Sequence, residues 1–133
     1  MKKSIFAIGA LALMLTACAN ITQIGFNISP NTPNVVIIDN KQIVVDQEPL
    51  YFAKGASNVE IVWQLPVGSD YKFSHNGIVI KNGGKEFENC RVEQNGRKFA
   101  CLNVHARPGR YKYTINVESP TKKLSEDPII IND

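Results

Sequence analysis

The stretch "CRVEQNGRKFAC", residues 90–101, holds two cysteines with Asn95-Gly96 midway between them. Both residues of that dipeptide tolerate the positive φ of a type I′ turn, so it predicts a two-residue β-hairpin loop. In that register Cys90 faces Cys101, Val92 faces Phe99 and Glu93 faces Lys98. Cys90, Val92, Phe99 and Cys101 then share one apolar face. Facing Cα atoms of an antiparallel pair lie roughly 4.5 or 5.5 Å apart, inside the disulfide window. The stretch therefore predicts a hairpin closed by a Cys90–Cys101 disulfide.

Outward from this hairpin, short alternating segments recur between turn signals. "GRYKYTINV", residues 109–117, sends Tyr111, Tyr113, Ile115 and Val117 one way and Arg110, Lys112, Thr114 and Asn116 the other. "NVEIVWQL", residues 58–65, does the same with Val59, Ile61, Trp63 and Leu65 against Asn58, Glu60 and Gln64. "NVVIIDNKQIVVD", residues 34–46, reads as a hairpin turning at Asn40-Lys41. "YKFSH" aligns Tyr71, Phe73 and His75, and "GIVIKNGGK" is a further strand ending in a Gly-rich turn. A polar loop, "SPTKKLSED", precedes a last strand, "PIII". No long helical period interrupts the series. Seven to nine such strands predict an all-β fold, an antiparallel two-sheet Greek-key sandwich over residues 34–133. It resembles immunoglobulin domains in outline only, because Trp63 precedes both cysteines instead of lying between them.

The N-terminus has a different character. Lys2 and Lys3 precede an apolar run from Ile5 to Leu15, too short for the ~20 residues of a membrane-spanning helix. The run ends in Leu15-Thr16-Ala17-Cys18, which resembles the lipobox of bacterial lipoproteins. That resemblance implies a signal peptide over residues 1–17, diacylglycerol on the Cys18 thiol, and acylation of the new N-terminus. Residues 18–33, rich in Asn, Thr and Pro, then read as anchor and tether, with Ile24 to Ile28 a candidate edge strand. Three acyl chains exceed the two signals that stable anchoring needs, so the membrane is the expected partner through Cys18. Ala19 in the second mature position implies, by the same resemblance, the periplasmic face of an outer membrane. In a host with a single membrane it implies the cell surface.

With export implied, Cys90 and Cys101 meet an oxidising compartment, which favours their pairing. The chain has 15 Lys and Arg; without Lys2 and Lys3, 13 face 12 Asp and Glu, a formal charge of +1. Such balance argues against a nucleic-acid partner or a polybasic membrane patch.

Few patterns carry chemistry. There is no nucleophile elbow, and the histidines lack partners at zinc spacing. Asp46 with Glu48, and Glu86 with Glu88, read as solvated strand edges. "KNGGK" opens no helix and reads as a turn. His75, Cys101 and His105 resemble the ligand set of cupredoxins, which would imply copper. However, Met1 and Met14, the only methionines, lie in the signal peptide, and a bridged Cys101 offers no thiolate. No metal or cofactor is therefore expected. His75 reads as closing a strand and His105 as solvated in a loop. The expected function is non-enzymatic: an envelope lipoprotein that binds another envelope protein, as an accessory subunit or a periplasmic inhibitor. Residues 66–70, 81–85 and 104–109 are its candidate contact loops. The alternatives are a copper-binding protein and a small-ligand or cell-wall-binding module.

Overall fold

The computed structural model describes residues 31–133; Cys18 and the candidate strand at 24–28 lie outside the described residues. Its strands are β1 (Val35–Ile38), β2 (Gln42–Val45), β3 (Leu50–Phe52), β4 (Val59–Gln64), β5 (Lys72–Ile80), β6 (Phe87–Glu93), β7 (Lys98–Asn103), β8 (Gly109–Glu118), β9 (Lys123–Glu126) and β10 (Ile129–Asn132). One sheet has the order β4-β7-β6. The other runs β3-β10-β8-β5, with β9 also pairing β8, and β1 and β2 form a separate hairpin. Because β8 returns to pair β5 while β6 and β7 lie in the opposite sheet, the chain makes a Greek-key sandwich.

Period-two alternation builds the core. Ile61, Trp63 and Leu65 from β4 and its exit, Phe99 and Cys101 from β7, and Tyr113, Ile115 and Val117 from β8 are all buried. Aromatic pairs join the sheets. Trp63 and Tyr113 have ring centroids 5.4 Å apart, and Phe73 and Phe99 are 6.1 Å apart. Fully burying one such large side chain contributes about 1.5–3 kcal/mol. Asn103 and Asn132 are buried too, and each donates its amide to the other, at 2.8 and 3.0 Å, so neither polar group is stranded.

The Asn-Gly hairpin forms as its residues dictate. Asn95 has φ 58° and ψ 35°, Gly96 has φ 85°, and the Arg97 N–H donates to Gln94 O at 3.1 Å. The predicted register holds from Glu93↔Lys98 to Arg91↔Ala100. A bulge then intervenes, with Asn89 at φ 51°, and Glu88 faces Leu102. Cys90 and Cys101 are bridged at this bulge, with Cα atoms 4.1 Å apart. Their shared face is only half buried: Phe99 and Cys101 are covered, whereas Cys90 and Val92 on the edge strand are exposed.

Other details depart from the sequence reading. The first hairpin turns one residue early, at Asp39-Asn40 with φ 50° and 57°, and Lys41 closes it. "YKFSH" and "GIVIK" are not two strands but one, β5, with a bulge between Phe73 and Ile78. There Gly77 is needed, since a Cβ would sit 2.8 Å from Phe73 Cβ. The bulge leaves His75 exposed instead of aligned with Phe73. The polar loop after β8 contains β9, paired from Ile115↔Glu126 to Glu118↔Lys123. The pairing of β3 with β10 is parallel.

Candidate functional site

The strand directions sort the connecting loops to two ends. The turns at 39–41 and 94–97 and the loops at 65–71 and 119–122 lie at one end. The loops at 53–58, 81–86 and 104–108, together with Asp133, lie at the other. Of the three candidate contact loops, 81–85 and 104–109 are therefore neighbours, while 66–70 is at the far end.

What joins the neighbouring loops is Glu86. It is 5% exposed and stands just before β6. Its backbone N–H donates to Gly83 O, and its own carbonyl accepts from Val104 N–H at 2.8 Å. Its carboxylate Oε2 accepts from the N–H groups of Ala106 at 2.9 Å and Arg107 at 3.4 Å. Arg107 Nε lies 3.7 Å from Oε1. Backbone donors and one cation thus compensate the desolvated charge. The reading of Glu86 with Glu88 as a solvated pair is corrected: Glu88 is exposed, Glu86 is not. Asp46 likewise has a specific task, accepting from the backbone and side chain of Asn34 at 2.8 and 2.6 Å.

His105 ties in the third loop and the last strand. Its Nδ1 lies 2.5 Å from Ala56 O and its Nε2 3.0 Å from Asp133 O. Whichever ring nitrogen carries the proton, an acceptor oxygen stands opposite it. It is half-buried, so the solvated loop histidine expected from the sequence is replaced by a clamp. Asn58 N–H completes the junction by donating to Val104 O at 3.2 Å. Beside it, Lys54, His105, Arg107, Pro108 and Asp133 line an open depression. The Tyr51 hydroxyl donates to Asp133 Oδ2 at 2.8 Å, and that bond pushes its pKa above the usual phenol range. Tyr111, packed edge-on against Phe87 at 5.1 Å, is also raised, first by burial and then by the Glu86 charge.

The cupredoxin-like residues do not converge on a thiolate. Cys101 is bonded to Cys90, His75 is on the exposed bulge of β5, and His105 is engaged by two carbonyls. Among the described residues, no group of three His, Cys, Asp or Glu is placed to hold a metal ion. The hydrogen bonds of Glu86, His105 and Asn58 tie three loops together at this end of the sandwich. Glu86 and His105 were missed as organisers because their partners lie far away in sequence. The sequence matches no protein-family model and no curated protein sequence.

Proposed function

We propose that the protein is a lipid-anchored envelope lipoprotein that works by binding another protein, without catalysis. The observation that carries the binding reading is the loop end clamped by Glu86 and His105, where 53–58, 81–86 and 104–108 meet. Loops already held in place lose little conformational freedom on association, which favours a specific contact. The anchor reading is supported by the Leu15-Thr16-Ala17-Cys18 box, and the periplasmic location by that box and by Ala19. The Cys90–Cys101 bridge suits an oxidising compartment.

Two experiments test this. Mass spectrometry of the mature chain should find acyl groups on Cys18, and Cys18→Ser should release the protein from membranes. A mature N-terminus elsewhere would end the anchor reading. Photo-crosslinking in intact cells from the exposed positions 85 and 107 should give one discrete product that is absent from the far-end positions 67 and 121. Equal crosslinking from both ends would remove the loop end from consideration.

A further inference from the structure

The register of the five-stranded sheet fixes what its outward face presents. Tyr51, Ile131 and Arg110 stand side by side across β3, β10 and β8. Ile129 stands beside Lys112. Across β8, Ile80 faces Tyr113 and Val79 faces Thr114. Lys81 continues that register, and its N–H donates to Lys112 O at 2.9 Å. Lys81 and Lys112 are therefore direct neighbours on one face, with Arg110 two residues along. Like charges set opposite each other destabilise a sheet, so the arrangement calls for a counter-charge.

No ion pair among the described residues supplies one. Arg110, Lys112 and Lys81 are exposed and take part in no ion pair among the described residues. The acidic side chains nearest this ridge are bound by neutral donors, Asp133 by the Tyr51 hydroxyl and Asp127 by the Thr114 hydroxyl, and keep their charge without closing an ion pair to it, while Glu86 is buried. Net charge could not reveal this, because the near-balance of the whole chain hides a local ridge that only strand register assembles.

We propose that this face rests on an anionic phospholipid surface. Arg110, Lys112 and Lys81 take the lipid phosphates, and Tyr51, 50% exposed, lies at headgroup level. The supply of lipid rests on the Cys18 anchor reading; the charge ridge does not. Residues 19–30 reach at most about 43 Å when fully extended. The described chain begins at Asn31, on the edge of β4 in the opposite sheet. Two packed sheets are about 10 Å apart, so that reach is enough to bring the ridge down to the bilayer.

The test uses residues 18–133 carrying Cys18→Ser, which contain every described residue and carry no acyl chain. Binding is measured by flotation with vesicles of phosphatidylcholine alone and of phosphatidylcholine with phosphatidylglycerol in equal parts. Anionic vesicles should bind the protein, neutral ones should not, and high salt should abolish binding. Each of Lys81→Gln, Arg110→Gln and Lys112→Gln should weaken it about fivefold, while Lys98→Gln on β7, an equal change of net charge, leaves it unchanged. Circular dichroism checks that every variant is folded. Equal affinity for both vesicles, binding to neither, or equal weakening by Lys98→Gln overturns the proposal. Because the protein carries no lipid, these outcomes are independent of whether Cys18 is acylated.

Discussion

On the outward face of the β4-β7-β6 sheet, Arg91 stands between Glu60 and Glu93, at 3.2 and 2.8 Å. On the outward face of the other sheet, Lys81 stands beside Lys112 with no acid between them. The first sheet answers its own charges and is stapled by Cys90–Cys101. On the second, Glu118 faces Lys72 and Lys123, but Lys81, Lys112 and Arg110 close no ion pair among the described residues. Both inward faces share a single core, so the difference is confined to what each sheet shows to solvent.

The severest way to break the comparison is through that shared core. Trp63 on β4 is fully buried and donates to the Tyr113 hydroxyl on β8 at 3.3 Å. Trp63→Ala should lower stability by about 3–5 kcal/mol. Denaturant melts with hydrogen exchange should show β7 and β8 losing protection together. Protection lost from β7 alone would mean that the sheets are separate units. Next comes the staple. Cys90→Ala with Cys101→Ala should lower stability by at most about 3 kcal/mol, since the closed loop is short. The exchange increase should concentrate in β6, and a uniform increase would contradict a local role.

Alkali probes the join between the sheets more gently. Burial pushes the Tyr113 hydroxyl up to about 12 from an ordinary value of 10.0. The folded value is the higher one, so its contribution is complete below about pH 10 and is lost as pH rises through about 12. The loss is on the order of 2–3 kcal/mol. Stability measured across that window should fall less steeply in Tyr113→Phe, and an identical slope would assign the fall to other groups. The smallest effects concern the outward faces themselves. Arg91→Ala should lower stability only slightly, because the ion pairs it makes are partly exposed and screened. Lys81→Glu should instead stabilise by about 0.2–1 kcal/mol, an opposite charge now facing Lys112. Matching signs in thermal melts would erase the contrast between the faces.

Local register made the hairpin legible. Asn95-Gly96 sets its own φ values, so the Cys90–Cys101 pairing followed from a dozen residues. Strict alternation likewise made β4 and β8 readable, down to Trp63 and Tyr113. Where structure depends on a distant partner, the sequence was mute. The segment containing β9 offers one apolar residue, Leu124, and becomes a strand because β8 is long enough to pair it. β3 is only three residues long, and its pairing with β10 spans most of the chain. Glu86 and His105 clamp atoms 20 to 49 residues away, and no local pattern announces such a contact. The lysine ridge was invisible for a related reason: the bulge between Phe73 and Ile78 sets the register that brings Lys81, just past β5, to Lys112.

The edge of β4 carries a mechanical consequence. The described chain enters alongside β4, with Asn31 O accepting from Val62 N–H at 2.8 Å and Pro33 O from Gln64 N–H at 3.0 Å. Asn34 bridges Gln64 in parallel sense. A pull on Asn31 along the strand axis, away from the start of β1, loads these bonds side by side, in shear. A pull across the strand axis would instead peel them open one at a time. A domain held by its N-terminus against drag would thus resist through this short parallel clasp before any strand of the core felt the force.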